Sequence, residues 1–117
     1  MHLYHKDVFL PRRIRVSVPS GIQKLQYSPH AINAAKSDRY GVIPLTDTVD
    51  FGTLEIVEVE HNGRQLVKAV LRENGQEKNR VLVVMPIRGE WLVKTVWFNL
   101  ANDKHRTLNR GVYEQRR

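Results

Sequence analysis

Residues 90–105 read Glu90-Trp-Leu-Val-Lys-Thr-Val-Trp-Phe-Asn-Leu-Ala-Asn-Asp-Lys-His105, an apolar segment that ends in a polar, cationic one. Successive side chains of a strand point to opposite faces, and both faces of a strand over Glu90–Phe98 would be largely apolar. That pattern is typical of an inner strand covered on both sides. Lys94 is an exception, because its ammonium group must reach water or meet an anion. The segment therefore predicts a central strand that scaffolds a phosphate-handling site.

The composition indicates a single basic domain. The chain has 117 residues, a net charge of +7 and a pI near 10.1. Such a charge favours a polyanionic partner, with RNA or another nucleic acid as the first candidate. The alternative is a solvated basic surface that only aids solubility.

The residue types and motifs of the chain also exclude several kinds of site and several cellular locations. The chain contains no cysteine, so disulfides, thiolate metal sites and a cysteine nucleophile are ruled out. Metal-ligand spacings and Gly-rich phosphate loops do not occur either, so no metal and no cofactor are expected. No run is apolar enough to span a bilayer, and the N-terminus does not resemble a signal peptide. We expect a cytoplasmic protein with no membrane partner.

The segment Tyr27–Gly41 predicts one helix, over about Pro29–Arg39. Ser28 is a suitable N-cap, and proline is favoured at the first helical position. Gly41 suits the left-handed conformation that follows many helices. Alanines along the segment allow close packing on a sheet.

The remaining pattern predicts strands. A cationic edge strand is expected near Arg12–Val18, which Pro11 and Pro19 bracket. Strands over Leu54–Glu60 and Gln65–Arg72 flank Asn62-Gly63, a strong hairpin signal. Arg80–Met85 is a nearly continuous apolar run, followed by a turn at residues 86–89.

Together these elements predict an α+β fold with an N-terminal helix packed on a four- to five-stranded antiparallel meander sheet. Residues 1–26 would form a basic extension with a candidate edge strand. Residues 27–113 would form the single α+β domain, and residues 114–117 a basic tail.

Two parts of the chain resemble known families. Tyr27-Ser-Pro-His-Ala31, followed by Asp38-Arg-Tyr-Gly41, resembles a helix of small domains of unknown function related to RelE-type and colicin-type ribonucleases. The segments Lys94–Asn99 and Asp103–Tyr113 are similar to small proteins encoded by bacteriophages. The resemblance covers roughly residues 27–113. It implies a helix before a curved antiparallel sheet, and a toxin-like ribonuclease acting in a bacterial cytoplasm. Members of this superfamily vary their catalytic residues, so fold alone does not establish catalysis.

Cleavage of RNA by its own 2′-hydroxyl needs a base, an acid and cations that stabilise the charged phosphorane, but no metal. Histidine suits the first two tasks because its unperturbed pKa lies near neutrality. We therefore assign His30 and His105 as candidate acid and base, and Lys94 as the catalytic cation. The candidate substrate-binding residues are Arg39, Thr95, Arg106, Arg110 and Tyr113.

Each candidate also has an ordinary structural interpretation. His30 and His105 would both be common as exposed surface residues, and Lys94 could extend along an apolar face to water. Arg39 could pair with a nearby aspartate. The second hypothesis is therefore a non-catalytic phage accessory protein that binds a host bacterial protein or nucleic acid. Convergence of His30, Lys94 and His105 in one cleft would favour the enzyme.

Overall fold

The computed structural model describes residues 5–9, 15–62 and 65–100, with side chains described from Val18 onward. Its elements are β1 (His5–Phe9), β2 (Arg15–Pro19), β3 (Ile22–Tyr27), α1 (Pro29–Lys36), β4 (Thr48–Asp50), a turn of 3-10 helix (Phe51–Thr53), β5 (Glu55–Asn62), β6 (Gln65–Glu73), β7 (Lys78–Ile87) and β8 (Glu90–Leu100).

The strands form two sheets. β1 and β2 pair antiparallel in a two-stranded sheet, and the other six form a mixed sheet with the order β4-β3-β8-β7-β6-β5. β3 runs parallel to β8, whereas the other neighbours are antiparallel. The predicted fold class is therefore wrong. The protein is mostly β-structure, and its single described helix follows three strands rather than preceding an antiparallel meander.

The start of α1 agrees with the sequence. The Ser28 side chain accepts a hydrogen bond from the Ala31 amide at 3.0 Å, and Pro29 is the first helical residue. Ala31 and Ala35 are fully buried in the main core. Small side chains at these positions let the helix lie close against β8, which is its main packing partner.

The end of α1 differs from the sequence prediction. The helix stops at Lys36, where the Ser37 amide donates to the Ala34 carbonyl. Asp38 then forms a turn by accepting from the Tyr40 amide at 2.9 Å, and Gly41 has a φ of +118° at its end. Gly41 therefore uses its conformational freedom in a turn beyond the helix.

Two hairpins build most of the sheet. The β5–β6 hairpin is confirmed, but Asn62 is the last residue of β5 and pairs with Gln65 instead of lying within the turn. Gly63 lies outside the described residues. In the β7–β8 hairpin, Ile87 pairs with Glu90. The two residues between them, Arg88 and Gly89, have φ of +49° and +81°. Positive φ at both central residues gives the twist that favours tight hairpins.

The core lies on both faces of the sheet. The larger cluster holds α1, β3 and the 3-10 turn against the inner strands, and its largest side chains include Phe51 and Trp91. A smaller cluster of Val70, Val81 and Val83 packs with Trp97 on the opposite face. β7 and β8 are thus inner strands, as residues 90–98 predict. Within the described residues, no helix is both long and apolar enough to cross a membrane.

Candidate anion-binding site

His30 and Lys94 lie on two segments that contact each other directly. His30 is exposed in the first turn of α1, and Lys94 is half-buried in β8. The residue that joins them is Ser28, whose hydroxyl donates to the Lys94 carbonyl at 2.9 Å. The Ser28 amide also donates to the Val93 carbonyl at 3.1 Å. These bonds fix the start of the helix beside Lys94.

Lys94 sits at an irregularity of the β7–β8 ladder. The register passes from the pair of Val83 with Thr95 to the pair of Val84 with Val93, so Lys94 is the additional residue. A β-bulge of this kind changes the direction of a side chain locally. The bulge interrupts the alternation of side chains at Lys94, which is half-buried.

Arg39 follows the end of α1, whereas Thr95 is the residue after Lys94 in β8. Both line an open cleft beside Asp38, whose carboxylate accepts from the Phe98 amide at 3.1 Å. The carbonyl that accepts from Ser28 belongs to the Lys94–Thr95 peptide, so the cleft begins near the start of α1 and extends to Asp38 beyond its end. The structure therefore places Lys94 and Thr95 beside the first turn of α1, which carries His30. Arg39 lies beyond the other end of the helix.

The other predicted site residues lie in the C-terminal segment. They are His105, Arg106, Arg110 and Tyr113, and all four are outside the described residues. Convergence of His105 with His30 and Lys94 therefore stays a prediction.

A second cleft contains the cations that the sequence analysis did not select. It has a volume of about 510 Å³, and Thr46, Glu73, Lys78, Arg80 and Phe98 are among its lining residues. We call it the Lys78–Arg80 cleft. It lies at the end of the sheet where β7 begins and where β8 ends.

Arg80 is the most buried charge in this cleft, with 7% of its surface exposed. Its Nη1 donates to the Pro44 carbonyl at 2.7 Å, and its Nε lies 2.9 Å from the Glu73 carboxylate. Its Nη2 has only a long contact, at 3.5 Å, with the Thr46 hydroxyl. Since a guanidinium carries five N–H donors, part of this donor set is directed at weak partners.

Lys78 supplies the second cation. Its Nζ donates to the Tyr40 carbonyl at 2.7 Å and lies 4.7 Å from the centre of the Phe98 ring. An ammonium has three donors, so two remain after the Tyr40 bond. The lysine stem and the Phe98 ring give this side of the cleft an apolar wall beside a positive charge.

Tyr27 holds the backbone of Thr46, which is one of the residues that line the cleft. Its hydroxyl donates to the Thr46 carbonyl at 2.5 Å. Burial raises the pKa of Tyr27 above its ordinary value, while its hydrogen bonding and the nearby Arg80 oppose that shift. The phenol therefore stays protonated and holds the Thr46 backbone, which in turn positions the Thr46 hydroxyl near Arg80.

Sequence reasoning missed Arg80 although a signal was present. An arginine that opens an otherwise apolar strand must find a partner, by the same argument that drew attention to Lys94. Its partner Pro44 is 36 positions away in the chain, so local patterns could not identify it.

Comparison with known proteins adds no relative. No family model, no curated protein and no solved structure matches this chain. The resemblance of its helix to ribonuclease-related domains therefore stays a prediction, and the function must be argued from the chain itself.

Proposed function

We propose that this protein is a non-catalytic nucleic-acid-binding protein that contacts phosphates mainly through its terminal segments. The distribution of charge supports this proposal. Residues 1–17 and 101–117 together carry nine Lys and Arg against three Asp and Glu, a net charge of +6. Residues 18–100 carry ten against nine, a net charge of +1. Nearly all of the excess charge thus lies outside residues 18–100.

Ion pairs within the sheet strengthen this contrast. Arg72 pairs with Glu55, Lys68 with Glu60 at 3.6 Å, and Arg80 with Glu73. Cations that already face a carboxylate contribute less to the attraction of a polyanion. The terminal cations are therefore the main source of the positive field.

Two of the N-terminal cations, Lys6 and Arg15, lie on the strands of a two-stranded ribbon. β1 and β2 pair from His5 with Pro19 to Phe9 with Arg15, and the segment that joins them contains Arg12 and Arg13. Two-stranded ribbons are an established way of entering the grooves of nucleic acids. Lys6 and Arg15 thus lie on an element of a type that binds nucleic acids.

The test replaces Arg12, Arg13 and Arg15 with alanine. We expect weaker binding to a single-stranded RNA and a smaller dependence on salt, because each lost phosphate contact reduces the slope of log K against log salt by about 1. Fluorescence anisotropy at several salt concentrations measures both quantities.

A matched variant removes three exposed cations of the central region instead, as Lys24→Ala, Lys36→Ala and Arg88→Asn. Asparagine is chosen at Arg88 because that residue has a positive φ. The two variants lose equal charge, so only the terminal one should lower the slope strongly. Equal effects, or affinity that does not respond to salt, would contradict the proposal.

Metal-independent RNA cleavage is the second candidate function. The observation that favours it is the pair of hydrogen bonds that fixes the first turn of α1, with His30, beside Lys94. A general base and a cation on adjacent segments are two of the components that such a reaction needs.

Incubation with RNA in the presence of EDTA tests this function. If the protein cleaves RNA, we expect His30→Ala with His105→Ala to lower the rate by at least about 100-fold, since general acid–base catalysis contributes about 10²–10⁴-fold. His61→Ala is the control, because His61 lies on β5 and away from α1. Products that persist in the double variant would exclude these histidines as the catalytic pair.

A further inference from the structure

We propose that the Lys78–Arg80 cleft binds a phosphoryl group. The cleft combines a guanidinium that is nine-tenths buried with a second cation and an apolar wall. The cations of this cleft, Lys78 and Arg80, are not among the terminal residues of the nucleic-acid proposal, so failure of either proposal does not contradict the other.

The donors of the cleft exceed its acceptors. After the bonds within the protein, two donors remain on Lys78 and the weakly held Nη2 group remains on Arg80. The Thr46 hydroxyl accepts 3.5 Å contacts from Arg80 Nη1 and Nη2, and a hydroxyl can also donate to a ligand oxygen. The Asn74 side chain, exposed on the rim, adds an amide. Such a set of N–H and O–H donors selects an anion with several oxygens.

The balance of charge also favours an anion. Lys78 and Arg80 face one carboxylate, that of Glu73, so the three groups carry a net charge of +1. The Glu73 side chain is 40% exposed, and its nearest oxygen is 2.9 Å from Arg80 Nε in an ion pair whose angle does not form a hydrogen bond. Its position on one edge of the guanidinium leaves the Nη2 edge beside Thr46. A phosphoryl group would complete this cluster without displacing the bond to Pro44.

The walls indicate an organic phosphate. Phe98 and Pro44 line the cleft beside the cations, and a carbon skeleton can pack on such surfaces while its phosphoryl group meets Lys78. A phosphoryl group has three peripheral oxygens in a monoester and two in a diester. Both a small phosphate ester and the backbone of a nucleic acid present this chemistry, so the experiment includes one probe for each.

The experiment follows amide chemical shifts of the full chain during titration with sodium phosphate, against sodium chloride at equal ionic strength. We expect saturable shifts at Gly75 and Lys78 with phosphate alone. Lys78→Met removes the ammonium but keeps an apolar stem over Phe98, and should weaken binding at least tenfold, as expected for a lost hydrogen bond to a charged group. Lys68→Met is the matched control, since Lys68 is also half-buried and pairs with Glu60 on another part of the sheet.

Glu73→Gln should change the affinity for phosphate in the opposite direction from Lys78→Met. It removes the only carboxylate among the described lining residues, so we expect phosphate to bind several-fold more tightly. A purely structural role of the cluster predicts no such gain. Absence of saturable shifts, unchanged affinity in Lys78→Met or weaker binding in Glu73→Gln would each overturn the proposal.

Two further probes identify the source of the phosphoryl group. Adenosine 5′-monophosphate is compared with adenosine, and an oligothymidylate without terminal phosphates is compared at the same salt concentration. Tighter binding of the monophosphate than of the nucleoside supports a small ester. Shifts at Gly75 and Lys78 with the oligonucleotide, lost in Lys78→Met, support the backbone. If neither probe shifts these amides, the cleft is not a phosphoryl site.

Discussion

Phe51→Ala is expected to destabilise the protein by about 3–5 kcal/mol, the range found for large-to-small changes at buried aromatic residues. Phe51 has 2% of its surface exposed, and its ring centre lies 4.9 Å from that of Trp91. The 3-10 turn that carries it is held by the Phe51 amide, which donates to the Gly21 carbonyl at 2.9 Å. Because backbone bonds keep the turn in place, the structure cannot easily collapse into the cavity.

Urea denaturation followed by circular dichroism measures this loss. Ile22→Ala is the matched control, because Ile22 lies in the neighbouring β3 but is 74% exposed; its change should stay within about 0.5 kcal/mol. A cost below about 1 kcal/mol for Phe51→Ala would mean that the 3-10 turn does not close the core.

The sequence predicted correctly those elements that are formed by contacts between residues close together in the chain. Ser28 and Pro29 specify the first turn of α1 through a hydrogen bond within three residues and a fixed φ. The β5–β6 hairpin has alternating strands and a short connection, and opposite charges such as Glu55 and Arg72 meet across it. Both depend on residues that are close in the chain, so a single sequence contains the information.

Strands β1, β3 and β4 were not predicted, and the parallel pairing of β3 with β8 is what makes the sheet mixed. The inward positions of β3 include Gln23, whose side-chain oxygen accepts from the Trp91 indole at 3.1 Å, whereas the apolar Ile22 is exposed. The hydrophobic alternation is therefore reversed at the start of the strand. Its parallel partner β8 lies more than sixty residues away, as the pair of Leu25 with Trp91 shows. No local pattern reports such a pairing.

Residues of the candidate site could be predicted from the sequence only where a charged residue lies within an apolar segment. Lys94 attracted attention as a charge within an apolar strand, and the structure places it at a bulge. Arg80, the third residue of β7, is likewise a charge beside an apolar run. Its hydrogen-bond partners, however, are the carbonyl of Pro44 and the hydroxyl of Thr46. The loop that contains both reaches Arg80 only through the tertiary fold.

Arg80→Met is the second change for which we expect a large effect, about 2–4 kcal/mol of lost stability. Breaking a buried ion pair by removing one partner costs about 3–5 kcal/mol, but here Glu73 is 40% exposed and can be solvated. The main loss is the charge-assisted bond from Arg80 to the Pro44 carbonyl. That bond connects the loop before β4 to β7, so the loop should also become more susceptible to proteolysis.

A double-mutant cycle with Glu73→Gln separates the two contributions. Glu73→Gln alone should cost no more than about 1–2 kcal/mol, because Arg80 keeps its bond to Pro44. If the ion pair matters, the double variant should lose less than the sum of the two single variants. If the free energies of unfolding are additive and Arg80→Met still has a large cost, the lost stability comes from the bond to Pro44. A cost below about 1 kcal/mol for Arg80→Met would instead show that the guanidinium is not a structural link, and its burial would then need a ligand as its explanation.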